Sequence, residues 1–459
     1  MALVYRCFLE KDVMTVSLKS VTALLLSAAI LLIGHGLQLT LAPLYAVNLG
    51  WSPDLIGYTG SAYFLGFVIG CLTVPVLVAR VGHIRVFAVL VALATATLLL
   101  IGLVDQFWFW LLSRCLSGWA LAGIYMVIES WLNEKTAVES RGSVLSVYTI
   151  ITLLAICLGQ LLIGFDLGFQ GLFMLAAAFL VLGVVPIGLT SSSAPSPITR
   201  IEFNLGKVFA ASQVAMVGAF FGGLVTGGFW ALGPVVARVN NLETDQIGIF
   251  MAVTILGGAC FQFPVGRLSD HVDRRYVIAG VALLGALTCL LGLFLGGGSP
   301  GLIYLTMFLF GGMTFPLYSL CLAHANDNTT LSLMEVASGV LMMNSAGAII
   351  GPLLVAFLIG YSSQALFMVS AVALSLLVCW TLFRIQDHQA DRHHFEPFAN
   401  VRSTSQEIVE MVDYEEGLEE EGGEGHHEGH HEGHHEGHHE SHYKNEEHKR
   451  QPDLSVVDG

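Results

Sequence analysis

Two stretches decide the architecture: PLYAVNLGWSPDLIGYTGSAYFLG, from Pro43 to Gly66, and PVVARVNNLETDQIGIFMAVTILG, from Pro234 to Gly257. At a constant offset of 191 residues, with no gap, Pro43 falls on Pro234, Ala46 on Ala237, Asp54 on Asp245, Ile56 on Ile247, Gly57 on Gly248 and Gly66 on Gly257. Each stretch leaves one apolar run, crosses a short polar turn and enters the next run. The chain therefore reads as an internal duplication of a unit built from several apolar segments.

The composition says where such segments belong. With 459 residues, 12% charged, fifty glycines and a mean hydropathy of +0.71, the chain is too apolar for a water-soluble domain. Apolar runs fall at 20–47, 54–78, 85–104, 107–130, 142–164, 169–190, 207–236, 244–265, 276–297, 301–323, 335–360 and 362–384. Each can cross a hydrocarbon layer of about 30 Å as a helix, so they are taken as spans 1 to 12. Val21–Ile33 follows Lys19 in the manner of a signal peptide, but no small-x-small site ends it and the run continues to Val47; it reads as the first span.

Cationic loops resist translocation. If both termini are cytoplasmic, eighteen of the twenty Lys and Arg lie in cytoplasmic segments, the exceptions being Arg238 in an outer loop and Arg114 inside span 4. The expected organisation is an all-α membrane protein: a cytoplasmic N-terminus at 1–19, a six-helix bundle at 20–190, a linker at 191–206, a second six-helix bundle at 207–384 and a tail at 385–459. Parallel repeats of this kind suit alternating access, in which two bundles rock about a central site. Seven of the eight cysteines (Cys71, Cys115, Cys157, Cys260, Cys289, Cys321, Cys379, but not Cys7) lie in apolar runs without a CxxC pair and read as small core hydrophobes.

The tail carries twenty of the 35 Asp and Glu against five Lys and Arg, and four copies of Gly-His-His-Glu from Gly425 to Glu440. It has too few large apolar residues to bury a core and is expected to be disordered. His426, His427, His430, His431, His434, His435, His438 and His439 have the spacing to chelate a divalent ion such as nickel, cobalt or zinc weakly. No other cofactor is called for.

After span 8 comes GRLSDHVDRR, Gly266 to Arg275. It resembles the signature loop of the major facilitator superfamily, G-x-x-x-D-R-x-G-R-R, with Gly266 and Asp270 in place, Asp273 where glycine is usual, and Arg274 and Arg275 at the basic end. The resemblance implies that Asp270 latches an outward-facing state against the start of span 5, near Arg141 and Gly142. The matching first-half loop, PVLVARVGHIR from Pro75 to Arg85, keeps Arg80 and Gly82 but has Ala79 where the acid belongs, so a second latch against span 11 is expected to be weak or missing. The plainer alternative is that these are solvated loop charges.

Span 4 carries LLSRCLSGWALAG, Leu111 to Gly123, which follows the superfamily pattern R-x-x-x-G through Arg114 and Gly118. An unpaired guanidinium in hydrocarbon costs several kcal/mol, so Arg114 either faces a cavity or a partner, or reaches the headgroups from about 10 Å inside the span. Gly118, Ala122, Tyr125 and Glu129 continue one helical face from it. In proton-coupled members of the superfamily the arginine is tied to proton movement. GIYMVIESWLNEKTAVESRGSVLSVY (Gly123–Tyr148), VGHIRVFA (Val81–Ala88) and the loop motif together resemble the YcaD-like branch, transporters of the bacterial inner membrane, over residues 20–384. Glu129 then either exchanges a proton or holds an inner gate with Arg141, or is an interface acid.

In span 1, His35 and Gln38 share a face between Gly34 and Gly36; the imidazole either titrates or bridges helices. Gln160, Gln213, Trp230, Gln262, Tyr318 and Asn344 are further cavity candidates, each equally explained by packing. Span 5 has LGQLLIG, Leu158 to Gly164, where drug–proton antiporters carry Gly-Pro, whereas span 11 has GAIIGP, Gly347 to Pro352, whose glycines allow close crossing and whose proline marks a bend.

No phosphate loop, HExxH or nucleophile arrangement is present, which argues against an enzyme. Three readings stand. The first is a proton-coupled secondary transporter of a small organic solute, working as a monomer in the bilayer without nucleic acid. The second is a divalent metal exporter with a capturing tail, against which the spans offer one clear histidine, His35. The third is a membrane sensor that does not transport.

Overall fold

The computed structural model describes the backbone of residues 2–136, 141–189, 205–295, 299–327, 329, 331 and 333–387, with side chains over the same stretches except at 2–20, 141–143, 295, 333–334 and 387. The linker 191–204 and the tail from 388 onward, with its eight paired histidines, lie outside these residues. Among the described residues every regular element is helical.

Among the described residues, twelve helices are long and apolar enough to cross a membrane. They are span 1 (Val21–Asn48), span 2 (Pro53–Val81), span 3 (His83–Ile101), span 4 (Phe107–Lys135), span 5 (Val144–Gly164), span 6 (Gly168–Gly188), span 7 (Gln213–Val239), span 8 (Thr244–Ser269), span 9 (Arg274–Phe294), span 10 (Pro300–Asn326), span 11 (Glu335–Ile359) and span 12 (Ala365–Gln386). Each falls on one of the twelve apolar runs. Span 1 is the end of one helix that runs unbroken from Ala2 to Asn48, so residues before 20 extend it rather than forming a separate element. Span 10 is interrupted at Phe315, where Pro316 withdraws a backbone N–H.

The duplication appears as packing. Span 1 packs on spans 5 and 6 as span 7 packs on spans 11 and 12; span 2 packs on span 4 as span 8 packs on span 10; and the halves meet through spans 2 and 11 and through spans 8 and 5. Local sequence starts the paired helices in the same register. Span 2 begins with Ser52, Pro53 at its first turn and Asp54; span 8 begins with a capping box between Glu243 and Gln246, with Asp245 in its first turn. The two acids so placed oppose the positive end of the helix dipole.

Glycines at the 191-residue offset make the same contact twice. A Cβ on Gly66 would lie 1.9 Å from the Cys115 carbonyl oxygen of span 4, and one on Gly257 would lie 1.9 Å from the Phe308 oxygen of span 10. A Cβ on Gly36 would lie 2.5 Å from the Ile156 oxygen of span 5, and one on Gly227 would lie 2.5 Å from the Ala348 Cα of span 11. Backbones therefore touch where no side chain fits, as membrane helices without a hydrophobic driving force between them require. Gly347 and Gly351 likewise lie against the Phe220 and Leu224 oxygens of span 7, which bears out the close crossing read in GAIIGP.

The cysteines correct one expectation. Cys157, Cys289 and Cys321 are buried and Cys71 and Cys115 half-buried, but Cys260 and Cys379 are exposed on the outer surface. In a membrane protein the lipid-facing side of a helix is as apolar as its core, so an apolar run does not tell one from the other.

Candidate functional site

The halves enclose a cavity of about 490 Å³, counting its open mouth, lined by His35 and Leu39 of span 1, Tyr63, Phe64 and Phe67 of span 2, Arg114 and Tyr125 of span 4, Ile156 of span 5, and Trp230 and Ala231 of span 7. Arg114 is 4% exposed, which removes the headgroup reading: it faces the cavity, not the membrane surface. Its guanidinium carbon sits 4.7 Å from the centroid of the Tyr63 ring. Such a contact is worth roughly 0.5–2 kcal/mol, less than the several kcal/mol that burying the charge costs. One terminal guanidinium nitrogen, Nη1, is buried without a hydrogen-bond partner.

His35 is also 4% exposed, with Nδ1 buried and unpartnered. Its ring stacks 6.4 Å from Tyr63 and meets Tyr125 edge-on at 6.1 Å. The flanking glycines place it there: Gly34 and Gly36 let span 1 close on the backbones of spans 6 and 5. Gln38 is turned away from the cavity and donates from Nε2 to Ser117 Oγ at 2.8 Å. Thr40 beside it donates to Gln160 Oε1 and ties span 1 to span 5.

The face expected to run from Arg114 to Glu129 splits. Gly118 lies under the Tyr63 oxygen of span 2 and Ala122 against Gly70, so both pack helices, while Tyr125 lines the cavity. Glu129, about 22 Å along span 4 from Arg114, is 1% exposed and accepts from Tyr148 Oη at 3.3 Å. It is not a surface acid, and it is not among the cavity residues. Of the six further candidates, Trp230 lines this cavity. Gln262 donates to Ser319 Oγ at 3.3 Å, Tyr318 and Asn344 are buried elsewhere, and Gln213 starts span 7. Tyr63, missed in the sequence, is the residue on which both His35 and Arg114 converge; it sits in an unremarkable apolar run, and only the helix crossing reveals it.

At the loop motif, Arg274 is the most deeply buried cation of the pair, 1% exposed, and bridges to Asp327 at 3.2 Å and to Asp270 at 3.7 Å. Arg275 meets Asp273 at 2.9 Å. Burial works to raise the Asp273 carboxyl, but hydrogen bonds from the Arg275 side chain and backbone, and the nearby cations, hold it below its usual value. These are not simple solvated charges: they tie the loop to the segment after span 10. Gly266 closes the last turn of span 8, where Asp270 caps it. The expected partners of Asp270 at Arg141 and Gly142 lie outside the described side chains. In the first half Gly82 turns the chain at φ +91°, a conformation that favours glycine, and Arg80 before it is exposed. Among the described residues no group of three or more His, Cys, Asp or Glu converges as a metal site.

Known proteins resemble the chain as a whole. The Major Facilitator Superfamily profile matches residues 24–235 and 215–410. An uncharacterized MFS-type transporter YcaD of Escherichia fergusonii is 25% identical over 395 residues, covering 84% of this chain and 100% of the relative. The YcaD of Salmonella arizonae is 26% identical over 341 residues, covering 72% and 87%. Among solved structures, the nucleoside transporter NupG superposes with a TM-score of 0.63 at 16% identity, covering 81% of this chain and 100% of that one. A bacterial homolog of the human lysosomal transporter Spinster, inward-facing and unoccupied, gives 0.62 at 16% identity, covering 81% and 95%. Twelve spans in two similar halves around a central cavity, with a profile match over nearly all of them, place the chain in the major facilitator superfamily of membrane transporters, where it resembles the YcaD-like members.

Proposed function

We propose that the protein is a secondary transporter that moves a small organic solute across the bacterial inner membrane by alternating access, coupled to protons. The observation that carries this reading is the cavity between the halves, into which Arg114 and His35 bring buried, unpartnered nitrogens. Spans 2 and 11 and spans 8 and 5 approach closely at the end of the molecule that holds the turn between spans 1 and 2. There Gly57 meets Ala356 and Gly248 meets the Gln160 oxygen. Closing this end and opening the other is the motion that alternating access needs.

His35 is the candidate proton carrier; the other titratable groups that face it are Tyr63, Tyr125 and Arg114. Both termini and the tail are cytoplasmic in this reading. The test is solute-driven proton flux in proteoliposomes. His35→Gln is expected to leave solute exchange running while proton movement stops. Proton flux that persists in the variant removes His35 from the role.

The alternative of a divalent metal cargo draws on the tail histidines alone. Metal-stimulated proton flux that disappears when residues 385–459 are deleted would establish it; flux indifferent to nickel, cobalt and zinc excludes it.

A further inference from the structure

Resting on the transporter reading, we propose a cargo class: a small aromatic carboxylate, carried as a monoanion, with its carboxylate on Arg114 and its ring against Tyr63, Phe67 and Trp230. Three features of the cavity converge on it. Arg114 is the charged residue among those lining the cavity, and no acid joins it there. Its Nη1 has no hydrogen-bond partner although the residue is 4% exposed, and among the described residues no carboxylate forms an ion pair with it, so the guanidinium still offers a donor. A planar guanidinium fork matches a carboxylate in two parallel hydrogen bonds, and the tyrosine face beneath it leaves that edge open.

The walls set the rest of the ligand. Tyr63, Phe64, Phe67, Tyr125 and Trp230 line the cavity together with Arg114, so a flat apolar body fits where a sugar would leave its hydroxyls unpaired. In the state in which His35 carries no proton, one guanidinium balances a single negative charge, which disfavours phosphates and dicarboxylates. An organic amine is excluded by like charge. Arg114 belongs to the first half and Trp230 to the second, so a ligand that spans them contacts both bundles, and occupancy is felt by the motion that moves it.

The test uses the full-length protein in lipid nanodiscs with two matched pairs of probes, benzoate with benzamide and indole-3-acetate with its amide, and with benzylamine and tryptamine as the cationic controls. Binding is read by calorimetry. Each carboxylate is expected to bind about tenfold or more tighter than its amide, the worth of a charged hydrogen-bonded pair. Arg114→Gln is expected to erase that preference while the weak binding of the amide persists, which also shows that the cavity is intact; Arg114→Lys retains part of it. Equal binding of acid and amide, tighter binding of the amines, a preference that survives Arg114→Gln, or binding of no probe overturns the proposal. Counterflow in proteoliposomes separates it from the reading beneath: amine transport without carboxylate transport refutes the cargo class and leaves a transporter, whereas carboxylate binding without flux of any probe leaves the anion site and refutes transport.

Discussion

Gly57 and Gly248 occupy equivalent places in the two halves, and both lie where the halves touch one another. Replacing either by alanine tests whether that touch belongs to one conformation. A Cβ on Gly57 would stand 2.6 Å from Ala356 Cβ and 3.0 Å from the Pro352 oxygen; on Gly248 it would stand 2.6 Å from the Gln160 oxygen and 2.8 Å from Ile163. Ordinary contact begins near 3.4 Å, so the bundles must part by roughly 0.8 Å at each site. Overpacking of this size costs about 1–3 kcal/mol, and because the bundles can rock apart the cost falls on the closed state alone. That shifts the equilibrium toward opening at this end by about 5- to 150-fold. Ser61, which donates to the Ile349 oxygen across the same seam at 2.7 Å, reports the change. In a Ser61→Cys background, maleimide labelling followed by peptide-resolved mass spectrometry is expected to quicken by that factor with Gly57→Ala and with Gly248→Ala. Gly66→Ala is the control, since its Cβ would strike the Cys115 oxygen within one bundle, where rocking gives no relief. It should lower thermal stability without a selective gain in labelling. Unchanged labelling in both interface variants, or a stability loss equal to that of the control, refutes the reasoning.

Arg274→Met leaves the Asp327 carboxylate, 6% exposed, without its cation, and is expected to cost about 3–5 kcal/mol of stability in a detergent melt; adding Asp327→Leu should restore part of it. Asp273 has a depressed carboxyl, so the stability it contributes is complete above the ordinary carboxylate range and is lost as pH falls through its lowered value. Asp273→Asn should therefore flatten the acid side of a melting-temperature profile, and an unaltered slope would show that the contact with Arg275 is not felt. Ser61→Ala removes one hydrogen bond between the halves, worth about 0.5–1.5 kcal/mol, and should speed opening in the direction of Gly57→Ala but by less, measured by hydrogen exchange at spans 2 and 11.

The spans and the duplication were legible because both rest on patterns local to the chain: apolar runs of fixed length, and glycines, prolines and acids recurring at one offset. Residues of the cavity were legible where burial was expensive. A charge within span 4 and an imidazole between two glycines in span 1 had to face something, and Arg114 and His35 do. What they face was not legible. Tyr63 reads like any aromatic in an apolar run, and its role follows from the crossing of spans 2 and 4, where Gly118 lies against its carbonyl oxygen. For Glu129 the sequence left a proton carrier, a gate and an interface acid open, and what covers it was not legible either: Tyr148 comes from the neighbouring helix.

The repeat also shows how the halves have come to differ. Leu39 and Trp230 stand at equivalent positions and both line the cavity, so its shape still carries the duplication. Its polarity does not. The equivalents of His35 and Tyr63 in the second half are Thr226 and Thr254, and that of Arg114 is Met307, because Gly118 lies under the Tyr63 oxygen as Gly311 lies under the Thr254 oxygen. Thr226 donates to the Gly222 oxygen and Thr254 to the Phe250 oxygen, each satisfied by its own helix, while Met307 is a buried apolar side chain. The loop motif is divided in the reverse sense: Ala79 and His83 of the first half stand where the second half has Asp270 and Arg274. His83 bonds Ser130 inside its own half, whereas Arg274 holds two carboxylates. One half therefore supplies the charge that would hold a solute and the other supplies the charged loop. Neither half contains both, so a cycle that links occupancy to closure has to run through the seam between them, where Gly57 and Gly248 meet the opposite bundle.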